Sequence, residues 1–307
     1  MAKKLIIFYF LFFFFYSLFS LFLFYNPVEA SQKVLVVKSA ELKPYAEVLK
    51  GFRETCICDI ETLIISELIS PDLRKNLPGI KPDIALAIGK NALSWIKDVK
   101  DIPIIYLMVL NPQPELSGHD NIKGINMYIS PGEQLSIFKE VTPDVKNIGI
   151  LTDPAKTGHI VKMAQDSALK KDINLIVHEI NSTREVPAIM DSLKGKIDAF
   201  WMMPDTTVIS SKTINFLLLF SVENKIPVFA CSEKFVKMGA LLSLNIDPSD
   251  IGRQAGEMAK KMISGENINS PPETDPRKVI ISINQAVAGK LGIPLSDEII
   301  KKAIIVR

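Results

Sequence analysis

The chain has 307 residues, with 36 basic against 34 acidic side chains and a formal net charge of +2. So even a balance gives no electrostatic case for nucleic acid or an acidic membrane surface as a partner. The length admits one large domain or two smaller ones, and neither needs disulfides to bury a core.

Lys3 and Lys4 precede an apolar or small-hydroxyl run from Leu5 to Tyr25, and Val28-x-Ala30 fits a small-residue cleavage site before Ser31. This pattern predicts a secretory signal over residues 1–30 and a periplasmic or extracytoplasmic mature chain. At about 1.5 Å per residue the run is also long enough to span a bilayer, so an uncleaved N-terminal anchor is the alternative. No cysteine follows closely enough for lipid attachment, since the first is Cys56. Cys56, Cys58 and Cys231 are an odd set for an exported chain. Cys56-x-Cys58 lacks the second pair that a four-ligand zinc site needs, so buried or free thiols are expected, with one disulfide left open.

From Lys33 onward strands and helices alternate, which predicts parallel sheets with crossover helices. Val34–Val37 reads as a strand, Tyr45–Arg53 as a helix, and Thr62–Ser66, Ile84–Ile88 and Ile102–Met108 as further strands, making one sheet of about four. A loop rich in turn formers follows from Asn111 to Gly118. Ile122–Met127 is expected to cross toward a second unit. Ser130 and Glu133 have the spacing of a capping box, so a helix starts at Pro131. The same alternation then repeats: strands Ile148–Leu151, Asn174–Ile180, Ala199–Met203 and Pro227–Ala230, with helices His159–Leu169, Glu185–Leu193, Val208–Glu223 and Glu233–Lys237 between and after them.

Ala240–Ile246 is another apolar run, and Asp247-Pro248 opens a long helix stopped by Gly265. Met258 and Met262 lie along one face of it, where core packing is the expected role rather than a soft metal site. The tail reads as strand Val279–Ile283, helix Asn284–Leu291, helix Asp297–Lys302 and a last apolar run to Val306.

No Walker loop, G-x-G-x-x-G, G-x-S-x-G or H-E-x-x-H occurs, and His119, His159 and His178 share no local motif with a cysteine or a carboxylate pair. No catalytic residue, metal ligand or cofactor is therefore expected. What recurs is polar residues at the carboxyl ends of strands, where α/β sheets hold ligands. They are Lys38-Ser39, Lys90-Asn91, Asn111, Thr152-Asp153, Asp205-Thr206-Thr207 and Ser232-Glu233, with Asn245 and Asp247 beside a later crossing. Each also suits a helix N-cap, and the two roles are compatible because free N–H groups at helix starts attract a carboxylate.

The string PVFA, then E-x-FVK-x-GAL, D, G-x-QAG-x-MA and G, between Lys225 and Gly265, resembles the substrate-binding proteins of ABC importers, in the subfamily often associated with aromatic or other amino-acid-like ligands. More loosely the resemblance runs from about Lys33 to Ile305. It implies the type I periplasmic binding-protein fold, in which two Rossmann-like lobes joined by three hinge strands close on a small solute. Lobe 1 would comprise residues 31–125 and 246–272, and lobe 2 residues 126–245 and 273–307. The family's cleft positions fall on Asp205, Thr206, Ser232, Glu233 and Asp247.

This chain departs from the family at Lys90-Asn91, where a Thr-Pro pair is common, at Asp153-Pro154 with Thr157-Gly158, and at Asp205-Thr206 in place of Asp-Asn. The expected ligand-binding set is Ser39, Lys90, Asn91, Asp153, Asp205, Thr206, Ser232, Asn245 and Asp247. The expected function is the extracytoplasmic solute-binding component of an ABC importer: a monomer that binds a small polar or amino-acid-like molecule and delivers it to a permease and ATPase complex. A ligand sensor of the same fold and an exported α/β enzyme are the alternatives.

Overall fold

A computed structural model describes residues 32–67, 81–110, 112–266 and 273–306. The predicted signal segment, Asn111 and the boundary at residue 272 lie outside the described residues.

Two sheets organise the chain. The first has the order β11-β5-β4-β3-β1-β2, built from β1 (Lys33–Lys38), β2 (Asp59–Ile64), β3 (Ile84–Ile88), β4 (Ile104–Leu107), β5 (Ile122–Ile125) and β11 (Glu273–Thr274). All of its pairings are parallel. Its central strands are buried along their length, as strands covered on both faces must be. The second sheet has the order β13-β12-β10-β9-β8-β6-β7, from β6 (Asn147–Thr152), β7 (Asn174–Glu179), β8 (Ala199–Trp201), β9 (Val228–Ala230), β10 (Leu242–Ile246), β12 (Val279–Asn284) and β13 (Ala303–Val306). Among the described residues only β10 with β12 is antiparallel.

The first sheet thus has six strands rather than about four. Glu273–Thr274 pairs with Gly124–Ile125 in that sheet, so the described chain leaves the first sheet after Thr274. Two residues carry no periodicity, which is why the sequence pattern does not reveal this edge strand.

The helices cover both faces. α1 (Lys43–Thr55) follows β1, α2 (Lys90–Ile96) follows β3, and α3 (Gln113–Leu116) follows β4. In the second unit come α4 (Pro131–Val141), α5 (Pro154–Leu169), α6 (Val186–Ser192), α7 (Thr213–Asn224) and α8 (Glu233–Met238); α9 (Pro248–Ile263) returns to the first unit, and α10 (Gln285–Leu291) and α11 (Asp297–Lys302) belong to the second. Alternation along β1 splits the first unit's core in two. Val34 and Val36 face Phe52 of α1 and Ala255 of α9, while Leu35 and Val37 face Leu93 and Ile96 of α2.

α1 and α9 lie almost backbone to backbone. A Cβ on Gly252 would sit 1.9 Å from the Val48 carbonyl oxygen, and one on Gly51 would sit 1.8 Å from that of Ser249. This contact is the physical reason for the G-x-Q-A-G spacing in α9. Met258 belongs to the same buried cluster.

The sheets communicate through three passages. One leaves the carboxyl end of β5 (126–130), one leaves the carboxyl end of β10 (Ile246 and Asp247), and one leaves β11 (275–278). They are tied to one another: the Asn126 amide donates to Thr274 O at 3.0 Å, Asn126 Nδ2 donates to Asp275 Oδ1 at 2.5 Å, and the Asp247 amide donates to Lys278 O at 3.3 Å. Because β5 is parallel to its sheet and β10 is parallel to β9, both sheets turn their carboxyl ends toward these passages. Among the described residues no helix is long and apolar enough to cross a membrane.

Candidate functional site

At the carboxyl end of β1 and β3, Ser39 and Gly89 come together. Ser39 N donates to Ile88 O at 2.9 Å, and Ser39 Oγ accepts from the Ala92 amide at 2.9 Å, so the serine just after β1 caps the helix that follows β3. Gly89 has φ of +92°, and a Cβ there would meet the Tyr45 hydroxyl at 2.4 Å and Ser39 Oγ at 2.6 Å. Only glycine fits that backbone and that space. Lys90 and Asn91, the first residues of α2, are exposed beside this cap. Tyr45 was not anticipated; its signal is a phenol in the first turn of the helix after β1.

The buried ammonium of Lys38, the last residue of β1, pairs with the half-exposed Glu41 carboxylate.

The second wall is built by the loops after β6 and β8. Asp205 is 1% exposed. Its Oδ2 accepts from the Asp153 amide at 2.7 Å and from Thr157 Oγ1 at 2.6 Å, while Oδ1 accepts from the amides of Thr207 at 2.8 Å and Val208 at 3.4 Å. All of these partners belong to the second unit. The carboxylate expected to meet a solute is instead turned inward and satisfied, holding the loop after β8 against the first turn of α5.

Asp153 caps α5 through the Ala155 amide at 3.1 Å. Lys156 Nζ donates to Thr207 Oγ1 at 2.5 Å, and that hydroxyl donates to Asp153 Oδ2 at 2.8 Å. The Thr207 hydrogen bond comes first among the causes that hold the Asp153 carboxyl below its ordinary value; the Ala155 amide and the Lys156 charge add to it, and together they outweigh partial desolvation. Thr206 is exposed next to this network. Thr207 is one of the polar residues that follow a strand and Thr157 one of the departures from the family; Lys156 is the addition, and Asp153-x-x-Lys156 at the start of a helix places the two charged groups on one side.

Ser232 caps α8 by accepting from the Lys234 amide at 3.3 Å, and Glu233 pairs with Lys237. Asn245 Nδ2 donates to Ser243 Oγ at 3.3 Å. Asp247 caps α9 through the amides of Ser249 at 3.0 Å and Asp250 at 3.2 Å, and pairs with Lys278 Nζ at 2.7 Å. Burial opposes its ionisation, but the Lys278 bond and the two amides prevail and hold its carboxyl below the ordinary value. Tyr128, on the first passage, has a buried hydroxyl without a hydrogen-bond partner among the described residues; burial pushes its pKa up to about 12.

Ser39, Lys90 and Asn91 therefore sit on the carboxyl edge of one sheet, and Asp153, Asp205, Thr206 and Ser232 on that of the other, with Asn245 and Asp247 at the passage between them. Among the described residues no group of three or more His, Cys, Asp and Glu side chains is arranged for a metal ion.

A tyrosine-binding protein of Clostridioides difficile is 31% identical over 215 residues, covering 67% of this chain and 61% of that protein, so the chain matches about three-fifths of that relative's length. An uncharacterised protein of Rickettsia prowazekii is 24% identical over 269 residues, 82% of this chain and 83% of the other. Among solved structures, the ligand-free, open form of a substrate-binding protein with adhesive properties from Clostridium difficile superposes with a TM-score of 0.75 at 23% identity, covering 90% of this chain and 99% of that one. An ABC domain in complex with L-Trp from Streptococcus pneumonia gives a TM-score of 0.55 at 21% identity, covering 90% of this chain and 100% of the other. At those identities the two structures speak to the fold, which is that of the type I periplasmic binding proteins. The family model for ABC transporter substrate binding proteins matches residues 67–307, and with most of its length inside that match the chain belongs to the ABC transporter substrate-binding protein family.

Proposed function

We propose that this chain is the extracytoplasmic solute-binding component of an ABC importer, that it binds an amino-acid-like molecule in the crevice between its two lobes, and that it hands that molecule to a membrane permease with its ATPase. The observation that carries the reading is topological: two sheets turn their carboxyl ends toward the same three passages, and such ends are where open α/β sheets hold ligands. The tyrosine-binding relative supports the ligand class. The lobes follow the sheets, with β11 assigned to lobe 1, and the protein acts as a monomer whose closure the ligand selects.

Each wall has a part to play. Lys90 is a cation at the start of α2, where the helix dipole disfavours it by a few tenths of a kcal/mol to about 1 kcal/mol. A carboxylate resting on Lys90, Asn91 and the Ser39 cap offsets that cost. On the opposite wall Asp153, Thr206 and Ser232 offer oxygen acceptors to an ammonium, with Asn245 and Asp247 at the passage. Asp205 supports Asp153 and Thr207 from beneath. Calorimetric titration with a panel of amino acids that includes tyrosine, tryptophan and leucine, with neutral sugars as controls, tests the reading. Saturable one-to-one binding of at least one amino acid is expected. Binding of a sugar but of no amino acid would overturn it.

A further inference from the structure

A pair of thiols lies at the other end of lobe 1, away from the crevice. α1 runs from the carboxyl end of β1 back to the amino end of β2, and Cys56 is the residue that ends it, its amide donating to Phe52 O at 2.8 Å. Residues 56–58 are neither helix nor strand. Cys58 Sγ turns back on Cys56, donating to its carbonyl oxygen at 3.2 Å. The residue between them, Ile57, is 95% exposed, so the turn stands at the surface; Cys58 is half-buried and Cys56 is 2% exposed.

We propose that Cys56 and Cys58 form a vicinal dithiol that exchanges with low-molecular-weight disulfides and closes into an intrachain Cys56–Cys58 disulfide. Spacing and exposure assign the two roles. Cys58, the accessible thiol, loses its proton to solvent and attacks the external disulfide, forming a mixed disulfide and releasing one external thiolate. Cys56 then attacks the Cys58 sulfur of that mixed disulfide, the Cys56–Cys58 bond forms, and the second external thiolate leaves. Two protein thiols are oxidised and one external disulfide is reduced to two thiols.

Exposure, and not acidity, makes Cys58 the first thiol to react. The bond from Cys58 is the chief cause holding the Cys56 thiol below its ordinary value; burial opposes it, and the Lys260 ammonium from α9 adds to it. Donating that bond pushes the Cys58 thiol up, as does burial, against the charges of Lys260 and Arg53. Capture of Cys58 removes that hydrogen bond, and the Lys260 ammonium is then what favours the Cys56 thiolate. Cys231, after β9, has no such neighbour among the described thiols, and burial pushes its pKa up to about 11.

The test is incubation of the full chain with oxidised glutathione, followed by alkylation, proteolysis and mass spectrometry. In the parent we expect an internal 56–58 disulfide without a persistent glutathione adduct, with Cys231 still alkylated. Cys56→Ser should trap glutathione on Cys58, and Cys58→Ser should leave Cys56 unmodified. Parent protein that keeps both thiols free, or that stops at a glutathione adduct on Cys58, overturns the proposal. Thermal melts of both variants identify any that is unfolded; for such a variant the alanine replacement is used in its place, and the parent result decides alone if neither folds.

Discussion

Thr157 Oγ1 donates to Asp205 Oδ2 across 2.6 Å, and the same oxygen accepts the Asp153 amide. One buried carboxylate thus joins the loop after β8 to the start of α5. Asp205→Ala would leave the amides of Asp153 and Thr207 without their acceptor, and each donor so stranded costs about 1–3 kcal/mol. The melting temperature should fall by roughly 5 °C or more, at about 2–4 °C per kcal/mol for a protein of this size. Asp205→Asn, which keeps an oxygen acceptor, should fall less. An unchanged melting temperature in Asp205→Ala would mean that the carboxylate is not a structural support.

Gly252→Ala should destabilise lobe 1 in a different way. The added Cβ would lie 1.9 Å from Val48 O and 2.7 Å from Phe52 N, both backbone atoms that cannot rotate aside. Forcing α9 away from α1 should cost about 1–3 kcal/mol or more, as overpacking does. Gly289→Ala, with nothing within 4 Å of the added methyl, is the control. Urea unfolding of the two variants measures the difference.

The pair Asp247 and Lys278 carries a pH dependence. The Asp247 carboxyl is held below its unfolded value near 3.8, so the folded state favours the ionised form. The stability it contributes is complete above that unfolded value and is lost as pH falls through it toward the lower folded value. Asp247→Asn should therefore flatten this part of the acid limb of the stability curve while leaving the neutral limb unchanged in shape. Melting temperatures between pH 3 and pH 7 read the effect; an acid limb identical to the parent's would show that the pair is not linked to folding.

Much of this architecture is legible in the sequence, and the failures have identifiable causes. Ser130 and Asp247 mark their helix starts because each side chain accepts an amide of the following turn. The helix expected from Val208 begins only at Thr213. Thr213 Oγ1 donates to Val208 O at 2.6 Å and accepts the Ser210 amide at 2.9 Å, so hydroxyls satisfy backbone groups that a helix would otherwise pair. The candidate site was harder to read, because Asp205 and Asp153 follow strands alike in sequence. Which carboxylate turns inward depends on Thr157, 48 residues from Asp205 in the chain, and no local pattern records that distance.

Lys90 gives the sharpest test of the proposed crevice. Its side chain is exposed at the start of α2, so its removal should not disturb the core, and the helix dipole gives no reason for a cation to stand there. If it meets a ligand carboxylate that loses water on closure, Lys90→Ala should weaken amino-acid binding at least roughly tenfold, about 1.4 kcal/mol, with the melting temperature of the unliganded protein unchanged. Lys90→Arg, which keeps the charge but changes its shape, should recover part of the loss. Lys43→Ala, in the exposed first turn of α1, should bind as the parent does. Calorimetry on the four proteins with the same amino acid separates the outcomes: equal affinity in Lys90→Ala and the parent removes Lys90 from the site, whereas a loss in Lys90→Ala alone, partly restored by arginine, places a carboxylate of the ligand against the first wall.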